Sequence, residues 1–136
     1  MIDSRRAFAA AAEALIDTPF RFHGRDATSG LDCVGLVVAA LETIGAPRPS
    51  IARYALRQRG YAAQLNSAAD AGFEDAQGDT QPGDLLLLRP GPAQLHLAVV
   101  AANGSLIHAH AGLGKVAMTP RPCPWPIARH WRLRQD

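Results

Sequence analysis

Four side chains in this 136-residue chain are of types that do covalent or acid–base chemistry and stand where such chemistry is possible: Cys33, His96, His108 and His110. Cys33 opens the apolar run CVGLVVAALETI, which reads as a buried central helix from Cys33 to Ile44, stopped by Gly45 and Pro47. A thiol at a helix start lies beside unpaired backbone amides and the positive end of the dipole, which favour its anion and make it a nucleophile. The bland reading of the same residue is packing, since free cysteine is among the most buried residue types. The histidines tilt the balance, because a thiolate nucleophile needs an imidazole partner held by a further polar group. Three histidines on neighbouring apolar strands are more than core packing asks for. His23, in a glycine-rich loop, and His130, in an Arg-rich tail, read as solvated surface.

Side chains alternate along a strand, so the turn around Asn103-Gly104 decides which histidines meet. A two-residue Asn103-Gly104 turn sets His108 opposite Val99 and points it away from His96. A three-residue loop, Ala102 to Gly104, sets His108 opposite Ala98 and His110 opposite His96, with Gly104 at the left-handed position of a bulge turn. The chemistry requires the second arrangement, and both His108 and His110 then share the face of His96.

The elements that must hold these residues are legible in outline. Ser4 to Ile16 is an alanine-rich amphipathic helix with Ser4 as its cap. Phe20 to Gly30 is a polar, glycine-rich loop that delivers the chain to Asp32. The segment 46–82 is mixed, with a short helix expected from Tyr61 to Ala71 and a polar stretch after it. Asp84 to Leu88, His96 to Ala101, Ser105 to Ala109 and Val116 to Thr119 read as antiparallel strands, and Ala128 to Leu133 as a last one after the PRPCPWP segment. The organisation is helix, helix, sheet: an α+β domain over residues 1–136 without linker or repeat.

Composition excludes several classes. A net charge of +2 from 14 basic and 12 acidic residues carries no basic block that would neutralise a row of phosphates, so no nucleic-acid partner is expected. No apolar stretch is long enough for membrane insertion. The opening MIDSRRAFAAAAEALI mimics a signal peptide, but Glu13 breaks a run already short, and no secretion signal is read. Cys33 and Cys123 are too few for a disulfide scaffold and match no zinc-ribbon spacing, which leaves Cys123 as a surface thiol or small packed residue.

Three stretches, TPFRFHGRDATSGLDCVGL, QPGDLLLL, and HLAVV followed by NGSLIHAHAG, resemble in order and spacing the NlpC-type cell-wall endopeptidases, cysteine peptidases of papain-like α+β fold. The resemblance implies that Cys33 is the nucleophile, His96 the general base and His108, in its Ile-His-Ala triplet, the residue orienting His96. It implies that Asp32 recognises the free amine of a short peptide. The implied substrate is a peptidoglycan stem peptide, cut between the side-chain carboxyl of D-glutamate and diaminopimelate or lysine, with no metal or organic cofactor. Val34 stands where the family has serine, Phe20 where it has tyrosine, and His23 where it has glycine.

The TPFRFHGRD opening, the LRPG loop and the Pro-Trp-Pro ending look most like the subgroup carried by phages and gene transfer agents. That likeness implies tail-tip or hub proteins as partners. It also implies synthesis in the bacterial cytoplasm and action in the periplasm or cell wall after delivery by a particle. Three rivals stand beside the peptidase: an inactive structural tail subunit of the same fold, a zinc-binding module using Cys33, His96, His108 and His110, and an acyltransferase working through the same thioester.

Overall fold

Helix α1 (Ser4–Glu13) starts one residue after Asp3, whose carboxylate accepts the Arg5 backbone N–H at 3.0 Å, so the cap is Asp3 and not the expected Ser4. Beyond Glu13 the chain tightens into i to i−3 bonds from Leu15 and Ile16, which ends the helix short of Ile16. The computed structural model describes residues 3–46, 71–92 and 94–134. The helix expected from Tyr61 to Ala71 lies, save for Ala71, outside the described residues.

Helix α2 (Cys33–Thr43) is apolar all round as far as Leu41 and correspondingly buried there, with only Ala39 partly exposed. Between the helices, β1 (Arg25–Asp26) and β2 (Gly30–Leu31) form a small antiparallel pair inside the segment expected to be a plain loop. The large sheet holds β3 (Phe73–Asp75), β4 (Leu85–Leu88), β5 (His96–Val100), β6 (Leu106–His110), β7 (Lys115–Thr119) and β8 (Ile127–Leu133), in the order β3-β8-β4-β5-β6-β7 and antiparallel throughout. β3 falls where a polar loop was expected. Its single buried residue, Phe73, sits edge-on to Phe8 of α1 at 5.6 Å between ring centres, and one apolar residue in three gives no alternation to read.

Alternation decides what each strand buries. Leu85, Leu87, Leu97, Val99, Ile107, Ala109 and Trp131 face the helices and form the main core with Phe8, Leu36, Val37 and Leu41. Leu86, Leu88, Ala98, Val100 and Leu106 face the other way and are covered by Cys123 and Trp125 of the proline-rich segment. An unbroken LLLL strand is therefore explained by burial on both faces. Each fully buried leucine here contributes about 1.5–3 kcal/mol relative to exposure.

At the head of β4 the buried Asp84 accepts hydrogen bonds from Arg132 Nε (2.8 Å), Arg132 Nη2 (2.9 Å), His130 Nε2 (2.6 Å) and the Gln81 backbone N–H (2.8 Å). Burial pushes its carboxyl up, but these bonds and the charge of Arg132 outweigh that and hold it below its ordinary 3.8. His130, expected as solvated surface, is thus a partly buried partner of Asp84 that ties β8 to β4. The signal was invisible because the pairing spans 46 positions of sequence.

The start of α2 is placed by two glycines. A Cβ on Gly35, in its first turn, would collide with the carbonyl oxygen of Gly24, and one on Gly24 would collide with that of Gly30. Backbone meets backbone, so nothing can swing aside. Gly35→Ala is therefore expected to lower stability by about 2–3 kcal/mol, as overpacking of a rigid site does. Urea unfolding measures this, and an unchanged midpoint would show that the loop is not pressed on the helix.

Candidate active site

Cys33 is the first residue of α2, and the residue before it makes the helix start possible. Asp32 is fully buried, with Oδ1 accepting the Gly35 backbone N–H at 2.8 Å and Oδ2 accepting the His23 backbone N–H at 2.9 Å. One carboxylate thus caps the helix and pins the preceding loop. The resemblance implied amine recognition by Asp32; here each of its oxygens accepts a backbone amide, and the cleft described below is lined by its neighbour Cys33. His23 has φ +59°, the left-handed region that glycine adopts without strain, which gives a reason for the family's glycine at this position.

The histidines are brought together by the β5–β6 turn. Val99 pairs with Ile107 and Val100 with Leu106, while Ala101 N–H donates to Ser105 C=O at 2.8 Å and Gly104 N–H to Ala101 C=O at 2.9 Å. The loop is therefore the three-residue one, with Gly104 at φ +87° and Asn103 Oδ1 accepting the Ser105 N–H. His96, His108 and His110 accordingly share one face. Contact separates the last two. His108 Nδ1 is 2.9 Å from His96 Nε2, whereas His110 Nδ1 accepts the Leu113 backbone N–H at 3.0 Å and closes its own turn. His108 Nε2 in turn lies 2.6 Å from Thr119 Oγ1, a residue not singled out from the sequence.

Cys33, His96, His108 and His110 line one cleft of about 350 Å³ between the start of α2 and the ends of β5 and β6. Phe20, Phe22 and Trp125 wall it. Phe20 and Phe22 stand edge to face at 5.1 Å, and the Trp125 ring lies 5.9 Å from His96 and 5.6 Å from His108. Trp125 was read only as part of a proline-rich tail; its position over the imidazoles follows from the covering of the second sheet face. Val34 is buried in the helix–sheet core, so the missing serine hydroxyl is replaced by packing and not by a cleft group. Phe20 does line the cleft, so its missing hydroxyl is one the cleft lacks.

Burial lowers the pKa of His96 from 6.5 to about 4, with the His108 and His110 rings adding to the effect. His108 is likewise lowered to about 4 by burial and by His110. Both imidazoles are neutral at pH 7, so one ring nitrogen of each is an acceptor. His96 Nε2 and His108 Nδ1 face each other, so one donates and the other accepts. A neutral imidazole in the same cleft as a thiol has the lone pair needed to accept its proton.

The NlpC/P60 family model matches residues 17–125, a span that holds Cys33, His96, His108 and the cleft walls. The chain belongs to the NlpC/P60 family. Among solved structures, NlpC2 from Trichomonas vaginalis superposes with a TM-score of 0.68 at 16% identity, over 98% of this chain and 49% of its own. The NlpC/p60 domain of the peptidoglycan hydrolase SagA gives 0.56 at 23% identity, over 88% of this chain and 90% of its own. An N-acetylmuramoyl-L-alanine amidase from Bacteroides uniformis gives 0.62 at 15%, over 97% and 99%. This chain spans about half the length of NlpC2. No protein with a curated description matches it. These likenesses bear on the fold, and the α+β arrangement of two helices on an antiparallel sheet is that of NlpC/P60 domains.

Two outcomes check the site. In this NlpC/P60 domain burial lowers the His96 and His108 imidazoles from 6.5 to about 4, so the unfolded chain binds more protons between those values. Stability is intact above pH 6.5 and falls as pH drops toward 4. Unfolding free energies measured across that window should decline, with a shallower slope in His108→Asn; a flat wild-type curve would show that the rings are not desolvated. Cys123, outside the cleft, donates its thiol to the Trp125 carbonyl at 3.2 Å. Cys123→Ser preserves that bond and should leave the alkylation rate of Cys33 unchanged, whereas a large drop would give Cys123 a part in the site.

Proposed function

We propose that the protein is a cysteine endopeptidase of peptidoglycan. It cuts stem peptides at the bond between the side-chain carboxyl of D-glutamate and diaminopimelate or lysine. Cys33 is the nucleophile, His96 the base and His108 the residue that orients His96. The observation carrying this reading is that a neutral imidazole, its Nε2 engaged by a second imidazole, lines the same cleft as a helix-start thiol. Membership of the NlpC/P60 family and the likeness to a peptidoglycan hydrolase and an N-acetylmuramoyl-L-alanine amidase support the class of reaction.

The chemistry follows from the atoms. Because His96 Nε2 is engaged by His108, uptake of the Cys33 proton falls to Nδ1. The thiolate Sγ adds to the peptide carbonyl carbon, and the backbone N–H of Cys33, among the first amides of α2, stabilises the oxyanion. One such donor contributes about 3–4 kcal/mol in comparable sites. The C–N bond then breaks, the leaving amine takes the proton from His96, and a thioester remains. Water, deprotonated by His96, attacks the thioester and regenerates the thiol. The zinc reading fits less well, because both ring nitrogens of His108 are already engaged and lend no lone pair to a metal. Among the described residues no group of three or more His, Cys, Asp or Glu is arranged to hold a metal ion.

The TPFRFHGRD, LRPG and Pro-Trp-Pro stretches further support a place at the tail tip of a phage-like particle, with hub proteins as partners and the cell wall as the place of action. Among the described residues no helix is long and apolar enough to cross a membrane.

Digestion of purified peptidoglycan, with released stem peptides identified by mass, tests the reading. Cys33→Ala should abolish release while costing stability on the order of 1 kcal/mol, the scale of a small void. His96→Ala should be nearly as inactive, and His108→Ala should retain a fraction of turnover because it acts through His96. Full activity in Cys33→Ala would exclude nucleophilic catalysis by the thiol.

A further inference from the structure

We infer that Thr119 is a positioning residue: its hydroxyl oxygen accepts the His108 Nε2–H and thereby holds the two imidazoles in the one proton order that leaves His96 Nδ1 able to take a proton. The inference rests on the reading of Cys33 and His96 as nucleophile and base. Its geometric ground is the continuous line from His96 Nε2 to His108 Nδ1 at 2.9 Å and from His108 Nε2 to Thr119 Oγ1 at 2.6 Å. Thr119 reaches it from β7, where it pairs with Leu106 and so shares the face of His108.

Two proton orders satisfy this line. In the first, His96 Nε2–H donates to His108 Nδ1 and His108 Nε2–H donates to Thr119 Oγ1, leaving a lone pair on His96 Nδ1. In the second, the Thr119 hydroxyl donates to His108 Nε2, His108 Nδ1–H donates to His96 Nε2, and His96 carries its proton on Nδ1, where it cannot accept another. Only the first survives the reaction. Once His96 has taken the thiol proton it bears N–H at both positions, its Nε2–H must donate, and His108 must keep its own proton on Nε2. His108 is 1% exposed, so that N–H needs an acceptor inside the protein, and among the described residues Thr119 Oγ1 is the one within reach. The other rings against His108 are His96 at 5.0 Å, His110 at 5.4 Å and Trp125 at 5.6 Å. His110 Nδ1 is occupied by the Leu113 N–H and the indole has no acceptor nitrogen. Without the hydroxyl, a buried and unpaired Nε2–H is costlier than a bare ring nitrogen, so His108 would move its proton to Nδ1 and reverse the order.

The test uses the Cys123→Ser background and follows iodoacetamide alkylation of Cys33 between about pH 5 and pH 9, where thiolate character sets the rate. Thr119→Val is expected to slow alkylation at neutral pH by at least about tenfold, and Thr119→Ser, which restores the hydroxyl, to come within about twofold of the parent, as loss and return of one buried hydrogen bond do. Nitrogen-15 spectra of His108 should show the Nε2–H tautomer in the parent and Nδ1–H in Thr119→Val. The parent spectrum is decisive even if the valine variant folds poorly: Nδ1–H there overturns the inference. So does a folded Thr119→Val that alkylates like the parent, or a Thr119→Ser as slow as the valine. A parent no faster than His96→Ala overturns instead the reading of Cys33 and His96 on which the inference rests.

Discussion

A single buried carboxylate organises this molecule. Asp32 has no exposed surface, and its two oxygens accept amides from opposite directions, one from the first turn of α2 and one from the loop at His23. Two strong acceptors filled by backbone N–H groups fix where the helix begins, and the helix start is where the thiol stands. The glycine contacts do the same work sterically. Gly24 and Gly35 meet without side chains, so the loop lies flat on the helix and the carboxylate can span both. If that capping were lost, α2 would keep its apolar faces and remain helical, yet its first residue would no longer have a defined place.

The second half of the site comes from an unrelated kind of order. His96 and His108 lie on different strands, and their meeting depends on sheet register, which the main core and the covered second face both enforce. A slip by one residue would exchange Leu97, Val99, Ile107 and Ala109 for the imidazoles on the helix side, at the cost of burying polar rings without partners. The histidines are thus held by the hydrophobic effect acting on their neighbours. Trp125, arriving from the proline-rich segment, then packs edge-on against both rings and adds to the burial that keeps them neutral at pH 7.

Much of this could be read from the chain because the signals were local. The apolar run after Cys33, the alternation in HLAVV and LIHAH, and the glycine at the third place of a tight turn each carry their own periodicity. What stayed hidden was non-local. Thr119 is an ordinary strand-end threonine until the register of β6 with β7 is known, and His130 looks like tail until Asp84 is beside it. The residues alone left His108 and His110 open for the same reason: both point the same way, and only in the fold does the His108 ring meet His96 while His110 takes the Leu113 N–H. β3 was missed because one buried Phe73 gives a strand no pattern.

The three-residue turn at Ala102 to Gly104 constrains how this chain can change over generations. Ala102 is exposed and its identity loosely bound, while Asn103 keeps the Ser105 N–H and Gly104 the left-handed backbone. The length of the turn is bound as well. Adding or deleting one residue would rotate everything beyond it by half a turn of the pleat, and His108 would exchange places with Ile107. Adding two would lengthen the hairpin and keep both imidazoles where they are. Parity is therefore the heritable quantity at this turn: a lineage is free to change Ala102 or to extend the loop by pairs, while an odd gap separates His96 from His108.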